Sequence, residues 1–152
     1  MKGWLKRLGP LAGLAFVFAL FAILTPGKFA TADNLQLMLL QTAVVGTAAL
    51  GMTMVIISGG IDLSVGSVIA LTTVIIALLL NSGAPPLAAA LGGVAGGMIC
   101  GSMIGMLITR VRLAPFIVTL GMWGALRGAA KGLANEQMIV TPSTWLNKLL
   151  NI

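Results

Sequence analysis

The chain has 152 residues, 59% hydrophobic and only 8% charged, with a mean hydropathy of +1.09 and a net charge of +6. Soluble domains run nearer a quarter charged because their surface must stay wet, so this composition points to a bilayer as the solvent. The basic residues form no contiguous face of the kind phosphate neutralisation requires, which excludes a nucleic-acid binder. They sit in short clusters, Lys2, Lys6 and Arg7 and then Arg110 and Arg112, between long apolar runs. There is no His, and the single Cys100 lies within an apolar run; a zinc site and a disulfide are both excluded.

The expected architecture is an all-α, polytopic transmembrane helix bundle of about five spans. Each span needs about 20 predominantly apolar residues to cross the hydrocarbon core. The first run is 8–26. It has a rival reading as a cleavable signal peptide, with a basic start and Ala30-Thr31-Ala32 as the processing site. Its length and the spans that follow favour a retained helix. The second run, 35–57, carries Gln36, Gln41, Thr42, Thr47 and Thr53; Gln41 and Thr42 are deep enough that their polar groups are expected to face other helices. The third is 64–80. Asn81-Ser82-Gly83-Ala84-Pro85-Pro86 then makes a tight hairpin, since its prolines forbid a continuous helix. The fourth, 87–108, holds a glycine ladder of Gly93, Gly97, Gly101 and Gly105, expected to share one helical face for close packing. The fifth, 114–133, becomes polar towards its end and repeats the ladder with Gly124, Gly128 and Gly132. The tail, 134–152, is expected at the membrane surface.

Lys2, Lys6 and Arg7 place the N-terminus in the cytoplasm by the positive-inside rule. Four crossings return the chain there at Thr109-Arg110-Val111-Arg112, which is again basic. Lys28 falls on the outer side. Arg127 and Lys131, one turn apart near the outer end of the fifth run, are read either as cations reaching the headgroups or as contacts at the outer mouth.

The most informative segment is Met54-Val55-Ile56-Ile57-Ser58-Gly59-Gly60-Ile61-Asp62-Leu63-Ser64-Val65-Gly66-Ser67. Gly59 and Gly60 are expected to end the second helix, because glycine is a poor helix former and reaches backbone angles that other residues avoid. An unpaired carboxylate in lipid is costly. Asp62 therefore belongs in protein, in water or at a helix end, where Asp62 or Ser64 is placed to cap the third helix. Two readings stand together: a capped hairpin, and a broken helix (Gly59, Gly60, Asp62, Ser64, Gly66) that lines a path or moves in gating. No phosphate-binding GxxxxGK[ST] loop, no His and no second carboxylate near Asp62 are present, so the chain holds no catalytic constellation and no metal site.

The string GGIDLSVGS resembles the signature of permeases from ribose-type, monosaccharide-importing ABC transporters. Pro115-Phe116-Ile117-Val118-Thr119-Leu120-Gly121-Met122, followed by Arg127-Gly128, resembles a second segment of that family, with Ala114 where a first proline often stands. The resemblance runs from about Asn34 to Ile139. It implies a bacterial inner-membrane subunit that pairs with a second permease subunit and sits on cytoplasmic ATPase subunits. A periplasmic sugar-binding protein would deliver the sugar, and ATP and Mg would bind the ATPase rather than this chain. Members of the family are about twice as long, and the ATPase-docking stretch belongs to the half beyond this sequence. In that setting Gln41, Thr42 and Thr47 are candidates to line the sugar path. The rival functions are a truncated, non-transporting fragment and a small ATP-independent channel or scaffold.

Overall fold

The computed structural model describes residues 2–145, with side chains from Leu8 onward. Among these the elements are all helices, in the order α1 (Lys2–Leu24), α2 (Ala32–Ile57), α3 (Val65–Asn81), α4 (Pro86–Thr109) and α5 (Pro115–Leu133). The side chains of Lys2, Lys6 and Arg7, and the segment 146–152 with Lys148, lie outside the described residues. The chain divides into two compact units, Met1–Thr47 and Ala48–Ile152, and each is taken by itself.

In the first unit α1 begins at Lys2, ahead of the apolar run that starts at residue 8, and carries Pro10 in its interior. Proline there removes one intrahelical donor. The helix ends where the Thr25 hydroxyl donates back to Phe21 O at 2.7 Å and Gly27 takes φ +74°. Phe29 in the connecting turn lies 5.3 Å from Phe18 and 5.5 Å from Phe21, centroid to centroid. Asn34 Nδ2 donates to Phe29 O at 2.6 Å, so the start of α2 is anchored to the turn by a side chain.

In the second unit the helix ends share one chemistry. At the end of α2, Gly59 adopts φ +80°, its N–H donates to Ile56 O and the Gly60 N–H donates to Val55 O, each at 3.0 Å. This is the paired closure in which a left-handed residue lets the chain satisfy the helix's last carbonyls. It recurs after α3, with Gly83 at φ +86° and Ala84 N–H donating to Leu79 O. After α5 it uses Asn135 at φ 50°, with Glu136 N–H donating to Lys131 O at 2.9 Å. Pro86 and Pro115 open α4 and α5, where the missing N–H would have had no partner in any case.

The core of this unit is a cluster of Leu71 from α3, Cys100 and Ile104 from α4, and Val118, Leu126 and Ala130 from α5. α3 packs against both α4 and α5. Outside that seam the surface is apolar, with Leu91, Met98, Ile99, Met106 and Ile117 each more than half exposed. Such a surface is stable in hydrocarbon and not in water. α2 and α4 are long and apolar enough to cross a bilayer by themselves. α3, with 17 residues, rises about 26 Å at 1.5 Å per residue, slightly less than the hydrocarbon thickness of about 30 Å.

Candidate functional site

The loop between α2 and α3 gathers the polar chemistry of the second unit. Asp62 Oδ1 accepts from the Ser64 N–H at 2.8 Å and from the Ser64 hydroxyl at 2.6 Å. The carboxylate thus folds over its own backbone as an Asx turn. Ser64 is the N-cap residue of α3 and makes no side-chain cap bond. The expected capping is therefore divided. The Ser64 carbonyl accepts from Ser67 N–H and Val68 N–H, while its hydroxyl serves Asp62. Asp62 remains half-buried at the positive end of the α3 dipole, a position that favours an anion.

Two buried hydroxyls then tie this loop to α5. The Ser67 hydroxyl donates to Trp123 O at 2.9 Å. The Thr119 hydroxyl is shared between Pro115 O at 2.9 Å and Ile61 O at 3.1 Å. Ile61 O has no backbone partner among the described residues, so Thr119 satisfies a loop carbonyl that would otherwise be stranded. Ser64, Ser67 and Thr119 are 0%, 0% and 1% exposed. Burial of three polar side chains in so apolar a fold is tolerable because each is hydrogen-bonded.

Gly60 lies where the loop meets α5. A Cβ there would sit 3.1 Å from Val55 Cγ1, 3.4 Å from Val55 O and 3.9 Å from Pro115 Cβ. Gly59 faces open space and is required by its φ instead. Gly66 departs from the expected break: it lies inside α3, exposed, and a Cβ added there would meet nothing within 4 Å.

Loop, α4 and α5 together enclose a cleft of about 470 Å³. The loop supplies residues 58–62; α4 supplies Gly101, Ile104 and Gly105; α5 supplies Pro115 and Thr119. The glycine ladder is thereby split. A Cβ at Gly93 would come within 2.5 Å of Ile76 Cγ1, and one at Gly97 within 3.6 Å of Thr72 Cγ2, so these two hold α4 close to α3. Gly101 and Gly105 have nothing within 4 Å and line the cleft. Four residues turn an α-helix by about 400°, so a strict i+4 series drifts about 40° per step and leaves one face after three steps. A Cβ at Gly124, Gly128 or Gly132 would likewise meet nothing within 4 Å among the described residues.

Other expected site residues fall elsewhere. Gln41, Thr42 and Thr47 lie exposed on α2 in the first unit. Gln41 and Thr42 border a shallow depression with Met38 and Val45, and the Thr47 hydroxyl donates to Ala43 O within its own helix. Arg110 is the C-cap residue of α4, and Arg112 follows at φ 59°, both exposed at the cleft's end of the unit. Arg127 and Lys131 line a different cavity at the far end of α5. Ser67 and Thr119 were not anticipated. Their signal is a hydroxyl in the middle of an apolar run, which in a membrane helix must find a partner.

The segment that builds this cleft coincides with a match to known proteins. Residues 34–147 match the family model described as the permease component of the branched-chain amino acid transport system. The chain belongs to this permease family. Among curated permeases, the chain is 41% identical over 115 residues to the fructose import permease of Rhizobium meliloti, covering 75% of this chain and 32% of that protein. It is 40% identical over 126 residues to the ribose import permease of Bacillus subtilis, covering 83% and 39%. To the ribose import permease of Escherichia coli it is 36% identical over 143 residues, covering 94% and 44%. The chain thus spans less than half the length of these relatives. No solved structure matches it. The permease family carries solutes across membranes, and its members are polytopic helix bundles; the apolar, all-helical fold described above is of that kind.

Proposed function

We infer that the chain forms part of the transmembrane permease subunit of an ATP-driven, binding-protein-dependent monosaccharide importer of the bacterial inner membrane. Its N-terminus is cytoplasmic, and it contributes to a substrate path that opens by alternating access. A second permease subunit, cytoplasmic ATPase subunits holding ATP and Mg, and a periplasmic sugar-binding protein complete the machine. The observation that carries this reading is the meeting of the chain's two motif segments at one cleft. GGIDLS and PFIVT lie more than fifty residues apart in sequence, yet the Thr119 hydroxyl touches Ile61 O at 3.1 Å. With the N-terminus inside, the cleft and the Arg110–Arg112 turn both fall at the cytoplasmic end of the helices. The loop is then a gate element fixed to α5 and hinged at Gly59.

The test is uptake of labelled ribose, fructose, xylose and leucine into right-side-out vesicles holding the intact permease, its ATPase and its binding protein. One sugar should accumulate with ATP. Accumulation of leucine alone would replace the sugar reading with the amino-acid one. Asp62→Ala should lower uptake at least about tenfold, through loss of a charge-assisted anchor worth about 1.5 kcal/mol or more, with membrane insertion unchanged. Normal uptake by that variant would remove the loop from the mechanism.

A further inference from the structure

At the end of the second unit opposite the cleft, a cavity of about 460 Å³ lies between α3 and α5. Its wall is apolar, from Ala70 and Val74 on α3 and Ala130 on α5. Its polar lining is Arg127 and Lys131, one turn apart on α5, with Glu136 and Gln137 from the turn that follows. No ion pair joins either cation to Glu136 among the described residues. That turn is built with some strain: Asn135 and Glu136 both have left-handed φ, 50° and 57°, and the Glu136 N–H is held on Lys131 O at 2.9 Å. Left-handed backbone at a non-glycine residue is uncommon, and after two in succession Glu136 lines the same cavity as Arg127 and Lys131.

Depth is set by helix rise. Arg127 and Lys131 lie 12 and 16 residues beyond Pro115, about 18 and 24 Å along α5 at 1.5 Å per residue. With Pro115 at the inner boundary of a hydrocarbon core about 30 Å thick, Lys131 lies about 6 Å short of the outer boundary and snorkels to the headgroups, while Arg127 lies one turn deeper beside the same cavity.

We propose that this cavity is a binding site for a zwitterionic phospholipid with a primary amine in its headgroup. The phosphate lies between Arg127 and Lys131 with Gln137 as a further donor, the ammonium meets Glu136, and the upper acyl chain runs along Ala70, Val74 and Ala130. A phosphate between the cations offsets their mutual repulsion and forms charge-assisted hydrogen bonds with both. A neutral polyol would leave that repulsion in place, and a purely anionic headgroup would leave Glu136 facing a negative neighbour. The proposal rests on the membrane placement of the chain and not on what it transports.

The experiment is native mass spectrometry of the full chain in mild detergent after exchange with phosphatidylethanolamine, phosphatidylglycerol or phosphatidylcholine. Phosphatidylethanolamine should be retained on the parent several-fold over phosphatidylglycerol. Glu136→Gln should erase or reverse that preference. Arg127→Gln with Lys131→Gln should lower retention of every phospholipid by about tenfold or more, about 1.4 kcal/mol per decade, while Arg127→Lys retains binding. Equal retention by the double variant and the parent would overturn the site. So would displacement of the lipid by excess inorganic phosphate, which would mark a simple anion site. Should the double variant lose helicity, the Glu136→Gln swap decides alone: an unchanged headgroup preference overturns the assignment.

Discussion

Single hydroxyls decide how the loop before α3 is held. Thr119 and Ser67 make similar bonds, yet their removal should differ. Thr119→Val keeps the shape and strands Ile61 O, a carbonyl with no other partner among the described residues, so it should cost about 1–3 kcal/mol. Ser67→Ala frees Trp123 O, which as an interior α5 carbonyl keeps its helical partner, and should cost about 1 kcal/mol or less. Thermal unfolding of the two variants in one detergent measures the difference, and a larger loss for Ser67→Ala would refute this account of the loop. Neither residue stands out by type. What marks them is position, a hydroxyl amid Ile, Val and Leu, and only the three-dimensional pairing shows which carbonyl each one satisfies.

Among elements, α4 shows what sequence spacing conveys and where it stops. The apolar runs with their Gly-Gly and Pro-Pro punctuation pointed to about five helices, and the described residues form five, because length and backbone preference act locally. The end of α2 at Ile57, two residues before Gly59, follows from glycine alone. The two faces of α4 did not follow, although the 40° drift of an i+4 series is arithmetic available from sequence; which face meets α3 depends on Ile76 and Thr72, far away in the chain. Gly93→Ala places its methyl against Cγ1 of a β-branched side chain, which cannot swing aside freely, and should cost about 1–3 kcal/mol as overpacking. Gly101→Ala projects into the cleft and should be neutral or slightly stabilising, since alanine is the better helix former. Equal melting temperatures for the two variants would contradict the division of the ladder.

For the whole chain, composition pointed to a bilayer as the solvent, because 8% charge is too little to cover a soluble surface, and the span-length apolar runs pointed to helices. The distribution of cations adds direction. A reporter that fluoresces only in the cytoplasm should light up when fused after Arg112 and stay dark when fused after Gly83; a periplasmic enzyme reporter should give the opposite pattern. The reverse result would invert the topology and move the cleft to the outer side. Exposed polar groups on α2, such as Gln41 and Thr42, were the least legible part. Sequence shows that a polar side chain sits in a span, and not what it meets.

The two ties to α5 bear on how the chain is made. Ser67 and Ile61 are synthesised 56 and 58 residues ahead of their partners, an interval of about 3–12 s at ribosomal rates of 5–20 residues per second. Through that interval the Ser67 hydroxyl of α3 and the Ile61 carbonyl of the loop before it lack the α5 partners they have in the folded unit. The packing of α3 and of the loop before it is therefore completed only when α5 arrives, so a later helix finishes an earlier one.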